Sequence, residues 1–459
     1  MNGRILRIEL RRSVAPWAGA LVLGSALAFL YLISGQWWNG TARWTAQWTP
    51  MALWTRCLLI VQWPLVVGLG ALQGLRDHRS KMAELLATTP RPARHRAATL
   101  AGATAITLVS GFALLVLVGG VQVLAATEYH HIGWLPISLV AALSLVAGAA
   151  LGMGIARALP SPLTPPVLVV AAFVVLNLLR VSTDEALPTA VLDNRAALLS
   201  PAVPEVREAF LTLTGAVHLG QTVWLLGMAA TGFALVVAAT GRGRLLALTP
   251  VVAGAAIALL VLPSDPRGTY VVDEAATARV CDGPVCVTKA HQDRLAQLAG
   301  PGRKALSLLH DTLGDSAPTT IRETTALRGI MDSPERSRTA VLVDFDDGAI
   351  AGAEGEELTR ALLAQGLAPT CWARSALQSG STGDIAAQDI AAGWVLGDLK
   401  PLTGTQHREI DQLEQAEPVW QKLKALPKAE QRSRIAAMHA AAISCEGDAF
   451  TVLQGGESR

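Results

Sequence analysis

Four of the five cysteines in this 459-residue chain, Cys281, Cys286, Cys371 and Cys445, lie beyond Pro263. An even set of thiols within one segment suits disulfide chemistry in an oxidising compartment, and four cysteines allow three connectivities. The run Cys281-Asp-Gly-Pro-Val-Cys286 reads as a turn closed on itself. Cys371–Cys445 would then tie the middle of the segment to its end. Zinc favours C-x-x-C spacings or histidine partners, and neither is present, so no metal is expected. Asp344-Phe-Asp-Asp347 reads as a solvated turn, and His291, His310, His407 and His439 are scattered and read as solvated. The nucleophile pattern G-x-S-x-G and the phosphate loop G-x-x-x-x-G-K-[ST] are both absent; Gly300-Pro-Gly-Arg-Lys304 has the wrong spacing for the latter. No catalytic constellation and no cofactor site is expected.

A different chemistry, docking, is suggested by the segment from Gly74 to Arg96. Met82–Thr89 can form a short helix with Met82, Leu85, Leu86 and Thr89 on one face and Glu84 beside them. Pro90 ends it, because the residue before a proline is pushed out of the helical region. Basic residues surround it. The residues alone leave two uses open: helix-in-groove docking on a soluble partner, or a basic loop lying on anionic headgroups.

Those residues must be held by the apolar runs around them. A helix needs roughly 20 apolar residues to cross a bilayer. Seven runs are read as spans: residues 16–34, 53–72, 100–125, 135–155, 165–181, 222–239 and 245–262. The first has a basic flank but no small-residue cleavage site, and it is read as a span rather than a signal peptide. The first 263 residues hold 18 basic and 9 acidic side chains, and the remainder hold 20 and 27, so the net charge of +2 averages two unlike halves and does not point to nucleic acid. Thirteen of those 18 basic residues sit before the first span and in every second gap, which marks those sides as cytoplasmic. An odd number of spans then puts the C-terminal domain outside. Arg56 and Arg180 fall at span ends and read as snorkelling side chains. Trp37, Trp38, Trp44, Trp48 and Trp54 read as interfacial anchors around the first outer gap. Gly148-x-x-x-Gly152 reads as an intrachain packing pair. No Asp, Glu or Lys is mid-span, which argues against an ion-coupled carrier and fits an apolar or amphipathic cargo.

The run Glu84-Leu-Leu-Ala-Thr-Thr-Pro-Arg91 resembles the coupling-helix segment between the second and third spans of type-2 ATP-binding-cassette (ABC) exporter permeases. Arg7-Ile-Glu-Leu-Arg-Arg-Ser-Val-Ala-Pro-Trp17 resembles the amphipathic helix that leads into their first span. Pro201–Gln221, with the amphipathic stretch 204–213, fits the place where their chain dips back from outside as short helices. The resemblance covers residues 1–241. It implies a six-span permease core, a separate cytoplasmic ATPase subunit that docks on Met82, Glu84, Leu85, Leu86, Thr89 and Pro90, and a second permease subunit, whether a copy or a relative. The family core lacks a seventh span, here residues 242–263, and an external domain.

Residues 264–459 are long enough for one domain. Strands are expected at 269–273, 285–288, 319–323 and 340–345, and helices at 292–298, 303–313, 356–365, 385–396, 407–426 and 429–443, an α+β arrangement. The strand at 340–345 followed by the helix at 356–365 resembles the active-site segment of zincin metallopeptidases. The histidines of that motif are absent, which implies a metal-free descendant. The expectation is a membrane bundle of seven transmembrane helices with an α+β extracytoplasmic domain, in a bacterial plasma membrane and in contact with its lipid. It would be the permease subunit of an ATP-driven exporter and not itself an enzyme. The alternative is a membrane-anchored sensor or assembly protein whose external domain binds a ligand or partner.

Overall fold

The computed structural model describes residues 15–79, 93–181, 193–202, 206, 209–325, 334–371, 381–405 and 409–456. The chain divides into two units, Met1–Val271 and Val272–Arg459.

The first unit is helical. Its main elements are α1 (Ala15–Leu32), α2 (Trp48–Cys57), α3 (Leu59–Gly74), α4 (Arg76–Arg79), α5 (Ala93–Ala126), α6 (Trp134–Ala158), α7 (Thr164–Val181), α8 (Asn194–Ala197), α9 (Gly215–Val237), α10 (Gly241–Leu246) and α11 (Thr249–Val261). Among the described residues, five helices are long and apolar enough to cross a membrane: α1, α5, α6, α9 and the α10–α11 stretch. The pair α2 and α3 passes the same test together but is bent by 50° at Leu58, and α7 is apolar but shorter. The run expected as one straight span from Leu53 is therefore two helices. The first begins five residues early, at Trp48.

Helix α6 is the centre of this unit. Lipid offers no hydrophobic drive for helices to associate, so close packing of small residues takes over. A Cβ built on Gly152 would lie 2.1 Å from the Val67 carbonyl oxygen, and one on Gly70 would lie 2.2 Å from that of Ala149. Backbones of α3 and α6 thus touch along a seam, and Gly148 meets the Trp63 ring on the same face. Gly232 of α9 approaches Ala150 as closely on another side of α6. Half of the described leucines and valines of α7 and α11 are exposed, among them Val167, Val170, Leu178, Val252 and Leu260. The tryptophans do more than anchor: Trp44 is fully buried, and Tyr31, Trp38 and Trp44 meet edge to face.

Two expectations fail locally. Strand β1 (Leu211–Leu213) lies inside the stretch expected to be an amphipathic helix, and it pairs with β2 (Tyr270–Val272). A threonine between leucines suits a half-buried strand as well as a helix, and the partner strand decides. For the same reason β2 does not join the sheet of the second unit.

That sheet has the order β3 (Arg279–Asp282), β4 (Val285–Thr288), β5 (Thr320–Glu323), β6 (Ala340–Val343). β3 and β4 form an antiparallel hairpin, while β4, β5 and β6 run parallel. Gly283 takes φ +60° in the two-residue turn, a conformation that costs glycine least. α12 (Leu295–Leu313) crosses from β4 to β5. It was expected as two helices broken at Gly300-Pro-Gly302, but Pro301 is carried inside one helix. Gly302 lets that turn lie against Val285 and Ile321. The remaining helices are α13 (Gly348–Ala351), α14 (Gly355–Leu367), α15 (Thr382–Leu396), α16 (Glu409–Ala425), α17 (Lys428–Ser444) and α18 (Ala449–Gln454). Their apolar faces close one core with the sheet, through Ile321, Val341, Leu309, Leu362, Ile390 and Met438.

Cys281 and Cys286 are directly opposed in the hairpin and lie at disulfide distance. Cys371 and Cys445 also lie at disulfide distance, 74 residues apart in sequence. Chain entropy makes the longer loop the stronger restraint, at about 4 kcal/mol against about 2 kcal/mol for the short one. Cys371→Ser/Cys445→Ser should therefore cost the second unit roughly twice what Cys281→Ser/Cys286→Ser costs. Pulse proteolysis of the full chain in a urea series checks the ratio, and equal losses would contradict it.

Candidate functional site

The six docking residues, Met82, Glu84, Leu85, Leu86, Thr89 and Pro90, lie outside the described residues. What the structure gives is their frame. α3 ends at Gly74, the short basic helix α4 follows, and α5 begins at Ala93. The segment therefore joins the end of one long apolar stretch to the start of the next.

A second group of polar residues comes together inside the first unit, around Arg56. Arg56 is the ninth residue of α2, next to the bend. It was expected to snorkel from a span end, but its exposure is 0 %. The reason is that its acceptors are inside. Nε donates to the Pro201 carbonyl oxygen at 3.0 Å, and Nη2 donates to Gln221 Oε1. Gln221 of α9 is buried as well, and its Nε2 donates to the carbonyl oxygens of Leu198 at 2.8 Å and Ser200 at 3.1 Å. Trp224, three residues on, donates Nε1 to the Leu199 carbonyl oxygen at 3.0 Å. Four successive carbonyls after α8 are thus taken by side chains of α2 and α9. Leu199 and Ser200 donate back to the Ala196 and Ala197 carbonyl oxygens, but Pro201 has no N–H with which to continue the series. Asn194, at the start of α8, fastens the other end through Nδ2 to the Pro263 carbonyl oxygen at 2.9 Å.

The balance at Arg56 is incomplete. A guanidinium has five N–H donors. The Nη1 donors are buried and have no acceptor among the described residues. His218 lies one turn before Gln221 on α9, within electrostatic range of Arg56, and its Nδ1 is also buried without a partner among the described residues. Among the described residues of this unit, Arg56 is the sole buried side chain of the Asp, Glu, Lys and Arg types.

The second unit holds its own buried ionisable groups. His291 is not solvated, as the sequence reading had it. Its Nδ1 donates to Glu323 Oε1 at 2.6 Å, while the Thr288 N–H donates to Glu323 Oε2 at 2.8 Å. These groups stand at the C-terminal ends of β4 and β5 and beside the Phe345 ring. Burial disfavours a charged His291, but the hydrogen bond and charge of Glu323, with Asp346 and Asp293, outweigh it and hold the imidazole above its ordinary value. His439 also has a protein contact, from Nδ1 to the Leu367 carbonyl oxygen at 3.0 Å. Asp347 caps α13 by accepting from the Ala349 N–H. On α14, where zincins carry histidines, Arg360 reaches Asp398 Oδ1 at 2.5 Å. Among the described residues no group of three or more His, Cys, Asp or Glu side chains is placed to hold a metal ion.

Asp389 on α15 gives a testable pH dependence. Its exposure is 0 %; Oδ1 accepts from the Leu402 N–H at 2.9 Å, and Oδ2 has no partner among the described residues. Burial pushes this carboxyl from 3.8 up to about 7, against the pull of Leu402 and Arg360. A raised folded value means that the stabilising contribution is whole below about pH 4 and is lost as pH rises through about 7. The raised His291 acts with the same sign. A shift of about three units is worth roughly 4 kcal/mol. Asp389→Asn keeps the Oδ1 acceptor and removes the titration. It should raise the stability of the second unit at pH 8 by an amount of that order and change it little at pH 4. Hydrogen exchange of α15 in the full chain at the two pH values measures this; an equal effect at both would contradict it.

Comparison of the chain with models of known protein families, with curated proteins and with solved structures finds no match in any of the three.

Proposed function

We propose that this chain is the membrane subunit of an ATP-driven exporter of the type-2 ABC class, working with a separate cytoplasmic ATPase and a second permease subunit that is a copy or a relative. The observation that carries the reading is the placement of Glu84–Arg91. This run of two leucines, threonines and proline lies between the ends of α3 and α5, with α4 in the same connection. A docking segment tied at both ends to apolar helices passes force to both of them. The energy source is then external to the bilayer, and in keeping with this the apolar helices α1 to α3, α5 to α7, α9 and α11 contain no Asp, Glu or Lys.

The seven crossings are the five long helices, the bent pair α2–α3, and α7. At 18 residues α7 is about 27 Å long, close to the roughly 30 Å hydrocarbon core. The basic gaps put the segment before α1 and the connection containing Glu84 in the cytoplasm. The second unit then lies outside, where its disulfides persist. The cargo is amphipathic or apolar, since the described spans offer it little polar lining. A reporter that is active only in the cytoplasm, fused after Arg459, is expected to be silent, and one fused in the α4–α5 connection is expected to be active. A bright signal from the first fusion would contradict the proposal.

A further inference from the structure

We propose that the corner around Arg56 binds the anionic group of an amphipath, a phosphate or carboxylate carried on an apolar tail. Three observations converge there. The guanidinium is 0 % exposed and turns two of its nitrogens to neutral acceptors, Pro201 and Gln221, so among the described residues its charge is hydrogen-bonded but not neutralised. Among the described residues its third nitrogen has no acceptor, and His218 Nδ1, within electrostatic range, has no partner either. The corner lies at the 50° break between α2 and α3, and interrupted spans are where membrane transporters build sites for charged groups.

The arrangement suits an anion for a physical reason. An ionised side chain in an apolar interior persists when a counter-charge reaches it. An oxyanion presented to Nη1 would accept its two protons, and the His218 imidazole, one turn before Gln221 on α9, is within electrostatic range of the guanidinium. Arginine's planar fork matches carboxylate and phosphate oxygens. The donors on Gln221 and Trp224 hold the 198–201 turn in place, so the guanidinium is oriented before the anion arrives. Beyond this polar corner α3 and α9 are mostly apolar along their length, which suits a ligand whose remainder is a hydrocarbon tail rather than a free ion. Anion binding deepens the exporter reading by giving the cargo a chemical class, and it rests on that reading only for the word cargo.

The test uses the full chain in phosphatidylcholine nanodiscs with no ATPase present, so its failure is separable from failure of the transport reading. Dihexanoyl phosphatidylglycerol, dihexanoyl phosphatidylcholine and inorganic phosphate are titrated separately, with tryptophan fluorescence and native mass spectrometry as readouts. The anionic lipid is expected to bind at least tenfold more tightly than its zwitterionic counterpart. Arg56→Gln should abolish that preference, and Arg56→Lys should retain part of it by keeping the charge without the fork. Inorganic phosphate should bind far more weakly than the anionic lipid. Equal binding of the two lipids by the unaltered protein would overturn the proposal, and that comparison needs no variant to fold. So would an unchanged preference in a folded Arg56→Gln protein. Inorganic phosphate binding as tightly as the lipid would overturn the amphipath and leave a free-anion site.

Discussion

Gly152→Leu is expected to remove most of the folded protein from the membrane. The first added carbon alone would sit 2.1 Å from the Val67 carbonyl oxygen and 3.1 Å from the Ala71 nitrogen. Both are backbone atoms of α3, so no rotamer change can relieve the contact. On the facing helix Gly70 and Gly74 meet Ala149 and Met153 at 2.2 and 2.4 Å, so the seam is tight over more than one turn. The helices would have to part by more than an ångström, and α6 also carries α9 through Gly232 and Gly154. Overpacking of a core costs about 1–3 kcal/mol where side chains can move, and more is expected where they cannot. Gly24→Leu on α1 is the control, because a Cβ there meets nothing within 4 Å. Membrane abundance and thermal stability in mild detergent measure both. Equal behaviour of the two variants would show that the seam is not as close as drawn.

The second large effect concerns docking. Leu85→Asp/Leu86→Asp should release the ATPase while leaving insertion intact. Burying two leucines is worth on the order of 3–6 kcal/mol before association costs, and the two aspartates add unpaired charge to the same contact. A loss of affinity of at least 100-fold is expected. The membrane abundance of the double variant should equal that of the unaltered chain, because the segment lies between spans rather than within one. Unchanged affinity with normal insertion would reduce the segment to a basic loop on the lipid surface.

The apolar helices were legible because hydropathy is a local property. The starts and ends of α1, α5, α6 and α7 lie within a few residues of the apolar runs, apart from the N-terminal extension of α5. The break at Leu58 was not legible. No proline or glycine marks it, and Arg56 beside it is bound to residues 145 and 165 positions away. An arginine in an apolar run with no acidic neighbour, and a glutamine and histidine one turn apart in another, were the available signals. Neither identifies its partner. The hairpin disulfide was legible from its five-residue spacing, whereas the burial of His291 depends on Glu323, which arrives one strand later through the crossover of α12. Leu211–Leu213 reads equally well as helix or strand, and Tyr270 settles it from the far end of the unit. The docking run was read from its own residues and lies outside those the structure describes.

The central claim is that this chain works as the membrane half of an ATP-driven machine. Affinity purification of the full chain in mild detergent, followed by mass spectrometry, tests it most directly. A soluble protein carrying the phosphate loop that this chain lacks is expected in near-stoichiometric amount, retained by the unaltered chain and lost from Leu85→Asp/Leu86→Asp. Recovery of the chain with no such subunit, from membranes where a candidate ATPase is present, would contradict the account.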